Sequence, residues 1–342
     1  RDTKYNLPKS RYRPMIRKSL LLSVAIIASV IAPVTSNAAT AVNVCVAYDL
    51  GGPGDRSYND AVLAGLTKAK KTLNFTFEGF ITDGSAADRE KRLRAMIAKG
   101  CSPILAIGSG YAKLLTNLAA EFPTQQFSIL NDASIASLNV TSLIFNDKQV
   151  GYLAGSAAAR VSKTGKVALI SNSANLNLEN GFALGANAAK KKLKITSKSA
   201  TTGLADLTKS LIAEGNDVIF VAITGSDNEI FSAVVKYNEA KKKSAAEVGV
   251  ITIEPDQFLT VTPANQKYLL GAISKRVDNA ILDIVTSAIK DQQIIDILDP
   301  VQGIYGRSYG ITGGNVELTI WAPKLLAFKA LIAAASRTAA KL

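Results

Sequence analysis

In "GGPGDRSYND", residues 51–60, three glycines and a proline lead into Asp55, Arg56, Ser57, Tyr58 and Asn59, and apolar residues then recur at helical spacing. A glycine-rich turn that opens a helix can present backbone N–H groups to an anion. It can equally be a corner of the chain. With Asp49 just before it, the stretch offers carboxylates, a hydroxyl, an aromatic ring and an amide, a set suited to holding a small polar ligand. Catalysis is harder to build here, because the chain has no histidine. That removes Ser-His-Asp and Cys-His nucleophiles, His-containing metal sites and the commonest neutral-pH base. Two cysteines cannot form a structural zinc site either. The expectation is a protein with no catalytic residue, no metal and no cofactor.

Those residues must be held by something, and the pattern along the chain says what. Short β-branched runs alternate with amphipathic stretches. Strands are predicted at 42–48, 75–80, 103–108, 126–130 and 140–145, with helices at 58–73, 86–99 and 111–121 between them. A second block repeats the order. Its strands fall at 166–171, 194–199, 217–223, 248–253 and 267–273, and its helices at 148–161, 178–191, 204–214 and 227–242, with a further helix on "VDNAILDIVTSAI". Alternation of this kind predicts parallel sheets with helices on both faces. A chain of 342 residues also exceeds what one core usually serves. The reading is α/β, two doubly wound parallel-sheet lobes. Ligands of such sheets sit beyond the carboxyl ends of the strands, and two lobes facing each other place those ends across a cleft. Asp49, Asn131, Asn146 and Glu254 each follow a predicted strand, and Gly108 ends one. Any one of the polar four suits a helix N-cap; as a set they suit a cleft.

The N-terminus carries an export signal. "MIRKSLLLSVAIIASVIAPVTSNAAT" has a basic start at Arg17 and Lys18, an apolar run from Leu20 to Val34, and small residues before a cut expected after Ala38. Residues 1–14 precede Met15 and fit an upstream extension; residues 15–38 are the signal peptide. The expected location is outside the cytoplasm, in a periplasm or at the cell surface. Export permits a disulfide; Cys45 lies inside one predicted strand and Cys101 just before another, and the two strands would be neighbours. A bridge and two buried thiols both remain open readings. Lipid attachment at Cys45 is disfavoured by Val44, where a small residue is wanted.

The net charge of +13 falls on the first 38 residues and on helical runs such as "KAKK" and "AKKKLK", with no basic stripe interleaved with aromatics. This is a solvated surface and not a nucleic-acid site.

The series "YDLGGPGDRSYND", "GYLAG" (151–155), "KTGKVALI" (163–170), "ENGFALGA" (179–186), "AEGNDVIFVA" (213–222), "EPDQ" (254–257) and "ISKRVDNAI" (273–281) resembles, in this order, the basic membrane protein family. These are purine nucleoside receptor A-like substrate-binding proteins of ABC transporters, and the likeness spans roughly residues 42–320. The resemblance implies a type 1 periplasmic binding-protein fold, two lobes joined by three crossovers. It implies a first lobe of 41–146 plus about 256–305 and a second of 147–255 plus about 306–342. Lobe closure is then expected about 146–149, 254–257 and roughly 303–310.

Carried over residue by residue, the resemblance puts Tyr58 on a nucleobase and has Asp55, Ser57 and Asn59 line the first lobe beside Asp49 and Gly108. Glu254 stands where an aspartate usually contacts the ribose, and Lys275 matches a cleft lysine. Asn131 replaces an aspartate used on the base, with Asp132 next to it, and Leu178 replaces a common aromatic. A carboxylate accepts two hydrogen bonds, whereas asparagine offers an acceptor and two donors, so base preference should change. The implied function is capture of a nucleoside, a purine by resemblance, by a monomer that passes it to a membrane permease. The glycines at 51, 52 and 54 then turn the chain and cradle no phosphate. The rivals are a surface nucleoside sensor and a nucleoside hydrolase-like enzyme. A transcription regulator of the same architecture would need a DNA-binding segment where the export signal lies.

Overall fold

The computed structural model describes residues 42–55, 57–223, 228–242, 244–253 and 262–342. The upstream extension, the export signal and Glu254 fall outside these residues. The described chain from Val42 onwards belongs to one compact unit.

Its first sheet begins with β1 (Val42–Tyr48), β2 (Phe75–Ile81), β3 (Ile104–Ile107), β4 (Phe127–Leu130) and β5 (Val140–Phe145). Between them run α1 (Tyr58–Lys70), α2 (Ala86–Ala98) and α3 (Ala112–Glu121). Helix α4 (Asp147–Val161) then carries the chain into a second sheet. There β6 (Lys166–Ser171), β7 (Lys194–Ser199), β8 (Val218–Ala222), β9 (Gly249–Thr252) and β10 (Leu269–Lys275) alternate with α5 (Leu176–Ala189), α6 (Leu204–Ala213), α7 (Asn228–Ala240) and the short α8 (Pro263–Gln266). Helix α9 (Val277–Ile289), β11 (Asp296–Asp299) and β12 (Ile304–Tyr309) return to the first lobe. Strand β13 (Val316–Ile320), α10 (Pro323–Leu326) and α11 (Lys329–Ala339) end in the second. The strand orders are β11-β12-β5-β4-β3-β1-β2 and β13-β10-β9-β8-β6-β7. All pairings are parallel except β11 with β12 and β10 with β13.

The physical reason is visible in the strands. β3, β4, β8 and β9 are buried at every position, as parallel strands covered by helices on both faces must be. "GYLAG" and "ENGFALGA" have a packing explanation as well. Gly151 and Gly155 on α4 lie against backbone of Leu178 and Phe182 on α5, while Gly181 and Gly185 lie against Lys148 and Tyr152. A Cβ at any of the four would collide with a carbonyl oxygen. Four glycines at spacing four thus bring two helices into backbone contact.

Cys45 and Cys101 are joined by a disulfide, with Cα atoms 5.6 Å apart, stapling β1 to the entry of β3. Among the described residues no helix is long and apolar enough to cross a membrane.

The lobe boundaries need correction. The strand expected at 267–273 was assigned to the first lobe with 256–305. It forms as β10 and pairs in parallel with β9, so it belongs to the second sheet. The first lobe regains the chain only at α9 and keeps it through β12, whose Gly306 pairs with Ser142 of β5. The second crossing therefore lies at Arg276 and not at 254–257, and the third follows Tyr309. An apolar run fixes that a strand forms; which sheet edge accepts it depends on partners far away in sequence.

Candidate functional site

The carboxyl ends of the two sheets face each other across a cleft of about 820 Å³, adjoined on the first lobe by a recess of about 350 Å³. Tyr58 and Asn131 line both.

Tyr58 is the first residue of α1, and its neighbours fix it there. The Asp55 carboxylate accepts hydrogen bonds from the backbone N–H groups of Ser57 (2.8 Å), Asn59 (3.1 Å) and Asp60 (3.2 Å). Two residues before the N-cap Ser57, it satisfies the free N–H groups of the first turn and supplies the negative charge that a helix start favours. Asn59 is buried; its Oδ1 accepts from the Asp49 N–H at 3.2 Å and its Nδ2 donates to the Leu50 carbonyl at 3.3 Å. The sharp turn at Gly51, Gly52 and Gly54 needs their positive φ of 84°, 58° and 102°. Asp55 and Asn59 line the recess, yet these bonds go into folding the loop, while the half-buried Tyr58 ring reaches the cleft. Ser57 lines the recess beside them.

Asp49 directly follows β1 and meets Arg89, whose Nη2 lies 2.9 Å from its Oδ1. Gly108, at φ 98°, makes room for it: a Cβ there would sit 3.0 Å from Asp49 Oδ2. Beneath this pair the Arg89 guanidinium stacks over Tyr111 at 5.1 Å, and the Tyr111 hydroxyl donates to the Tyr48 carbonyl at 2.7 Å. Burial pushes both phenols up to about 12. Asn131 follows β4 in the left-handed region at φ 60°, a conformation asparagine tolerates, and its backbone N–H donates to the Leu143 carbonyl at 2.9 Å. Its exposed carboxamide faces both cavities. Asp132 instead accepts from the Ser134 N–H (2.9 Å) and hydroxyl (2.5 Å) and lines neither cavity.

The opposite wall is built by two helix starts. Asn146 caps α4 by accepting from the Gln149 N–H at 3.1 Å, and Asn175 caps α5 by accepting from the Leu178 N–H at 3.1 Å. The glycine-mediated contact of these helices brings their first turns together. There Asn175 Nδ2 donates to Asp147 Oδ2 at 2.8 Å, and Lys275 Nζ, at the end of β10, donates to Asp147 Oδ1 at 2.8 Å. The Lys275 side chain is only 8% exposed and its ammonium lies 5.9 Å from the Phe145 ring centre. Leu178 is buried and shows one edge to the cleft. Ile253 also lines the cleft; Glu254, which follows it, lies outside the described residues.

Sequence reasoning thus brought Tyr58, Asn131, Leu178 and Lys275 to the cleft and Asp49, Asp55, Ser57, Asn59 and Gly108 to the recess. It missed Asp147, Asn175 and Phe145. The strand-end signal that singled out Asn146 applied to its neighbours too, and an asparagine opening "NLNLENG" is an N-cap signature. The main cleft is lined among its described residues by five asparagines, three serines and three charged groups, Asp147, Lys148 and Lys275. Such a wall both donates and accepts hydrogen bonds and carries little net charge.

Comparison with known proteins agrees with this architecture. The family model for ABC transporter substrate-binding protein PnrA-like matches residues 41–297. The CD4+ T-cell-stimulating antigen of Listeria monocytogenes is 30% identical over 72% of this chain and 73% of its own length. The ABC transporter nucleoside-binding protein BmpA of Lactococcus lactis is 26% identical over 72% of this chain and 74% of its own. Among solved structures, an ABC transporter solute-binding protein from Aeropyrum pernix superposes with a TM-score of 0.65 at 20% identity, covering 86% of this chain and 80% of that one. With two α/β lobes in the type 1 periplasmic binding-protein fold and a polar cleft between them, the chain belongs to the PnrA-like substrate-binding proteins of ABC transporters.

Proposed function

We propose that this protein binds a nucleoside in the cleft and delivers it to a membrane permease from outside the cytoplasm, acting as a monomer and without catalysis. One observation carries the reading: Tyr58 and Asn131 are the two side chains common to the cleft and its recess, so a ring and a carboxamide meet where a base would lie. An aromatic face stacked on a base contributes about 1–3 kcal/mol. A carboxamide can pair with the donor-acceptor edges that nucleobases present. The amide- and serine-rich wall opposite supplies partners for ribose hydroxyls. The nucleoside-binding name of the Lactococcus lactis relative supports the same class, and the export signal supports the location.

The test is a thermal-shift screen of the purified protein against purine and pyrimidine nucleosides, free bases, ribose and other sugars. A ligand at about 100 times its dissociation constant adds about 2.7 kcal/mol of stability. Stabilisation by nucleosides and not by ribose is expected. A shift with sugars alone would leave the family standing and sink the nucleoside.

A further inference from the structure

The first lobe has a second cavity, at the opposite end of its sheet from the cleft. It has a volume of about 260 Å³ and lies where β3, β4 and β5 begin, under the last turn of α9 and the chain that leads into β11. At about 30 Å³ per water, this is room for a small organic molecule and more than one trapped water needs. Its roof is pinned at three points. The Gln292 N–H donates to the Ser287 carbonyl at 2.8 Å, the Thr141 hydroxyl donates to the Ile294 carbonyl at 3.2 Å, and Gln293 Nε2 donates to the Leu138 carbonyl. The space is built by the fold and does not come from a loose loop.

Its chemistry differs from that of the cleft. Pro103, Ile284, Ala288 and Ile294 give it apolar walls. Ser128, also in the lining, is 1% exposed, and its hydroxyl has no hydrogen-bond partner, a costly state for a buried polar group. A serine hydroxyl has three staggered positions, so an occupant can draw it into a bond. Among the described residues, the one formal charge of the lining is the Asp291 carboxylate. It stands just past the end of the thirteen-residue α9, where the helix dipole is negative. Lys290, the residue before it, is outside the lining. Carboxylate and helix end thus act in the same sense and favour a positive guest.

We propose that this cavity is a second small-molecule site, separate from the cleft, which takes an organic cation. The ammonium head lies toward Asp291 and the end of α9, and the apolar body lies against Ile284, Ala288 and Ile294. Nothing in this depends on which ligand the cleft takes.

Saturation-transfer NMR of the purified protein with benzylamine, benzyl alcohol and benzoate tests it, since the three share a ring and differ in the charge of the head. Benzylamine is expected to bind saturably and at least about fivefold more tightly than either of the others, the combined worth of an exposed ion pair and a helix end. Excess adenosine should leave its signal in place. Asp291→Asn keeps a side chain that tolerates the left-handed φ of 51° at this position, and it is expected to remove the preference for the amine. Ala288→Phe fills the cavity and should abolish benzylamine binding. Where Ala288→Phe does not fold, Ser128→Ala replaces it. Loss of an unpartnered hydroxyl should raise the melting temperature while weakening benzylamine at least about threefold.

No saturable binding of benzylamine, or equal binding of the three probes, overturns the proposal without any variant. So does displacement of benzylamine by adenosine, which would put the amine in the cleft. A folded D291N protein that still prefers the amine, or an A288F or S128A protein with unchanged benzylamine affinity, overturns it as well.

Discussion

At the scale of single residues, the cleft is a division of labour between side chains that face the ligand and side chains that hold them. Asp55 and Asn59, which sequence reading placed on the ligand, send their hydrogen bonds into the loop and the start of α1. Under the proposed function, Tyr58 and Asn131, which line both the cleft and its recess, are the side chains that meet the base. Replacing Tyr58 by alanine is therefore expected to weaken nucleoside binding by about 1–3 kcal/mol, while Tyr58→Phe keeps most of it, as calorimetry would record. An alanine variant with unchanged affinity would place the ring outside the bound pose. Asn131 makes a finer statement. Its amide can give and take a hydrogen bond at once, matching the N6–H and ring-nitrogen pair of adenine. An aspartate there would set a charge against a lone pair, but suit bases that present a ring N–H. Asn131→Asp is thus expected to shift preference from adenosine toward inosine and guanosine by about 1–3 kcal/mol, the worth of one bidentate pair. An unchanged ranking of nucleosides would remove Asn131 from base recognition.

At the scale of elements, the close contact of α4 with α5 governs the second lobe's wall. A methyl at Gly155 would run into the Phe182 carbonyl, and one at Gly185 into that of Tyr152. Alanine outdoes glycine in a helix by about 1 kcal/mol, so propensity alone forecasts stabilisation. Overpacking of about 1–3 kcal/mol or more opposes it, and here the obstacle is backbone, which cannot rotate away. Gly155→Ala and Gly185→Ala are expected to lower stability in denaturant titrations, and a rise in either would mean the helices can part at no cost. This contact also marks where the sequence was legible and where it was not. Strands such as Val42–Tyr48 and Lys166–Ser171 announce themselves, because burial on both faces writes a continuous apolar run. "DILD" and "IYGRSY" do not: β11 is a short edge strand with exposed residues, and β12 is part polar because only some of its residues face the core. The glycines of "GYLAG" and "ENGFALGA" could be read as motifs, but not as a pair of surfaces meeting. In the site the same limit appears. Lys275 was legible by resemblance; Asp147 was not, because the two are 128 residues apart and meet only once α4 and β10 are both in place.

At the scale of the whole molecule, the question is how two lobes that share a cleft are joined, since capture and release both depend on it. The three crossings lie side by side and are laced by hydrogen bonds. The Asn146 N–H donates to the Tyr309 carbonyl at 2.9 Å, linking the first crossing to the third. The Arg276 N–H donates to the Asn315 carbonyl at 2.9 Å, and Asn279 Nδ2 to Asn315 Oδ1 at 3.0 Å, linking the second to the third. Gln149 completes the set: buried in the first turn of α4, it accepts the Ile311 N–H on Oε1 at 2.8 Å, with Gly310 leaving room for its amide. These bonds tie the three crossings to one another where the lobes join. Ligand binding is expected to draw the lobes together, seen as a smaller radius of gyration in small-angle scattering with a stabilising nucleoside than without. Gln149→Ala leaves the half-buried Ile311 N–H without its acceptor, a loss of about 1 kcal/mol. The variant is expected to melt earlier and to show a smaller ligand-induced compaction, because a looser hinge spreads the open and closed forms over more geometries. Gln149→Glu, which keeps an acceptor at the same reach, should recover compaction better than alanine does. A Gln149→Ala protein with wild-type melting and compaction would show that the crossings keep their register through the backbone bonds alone.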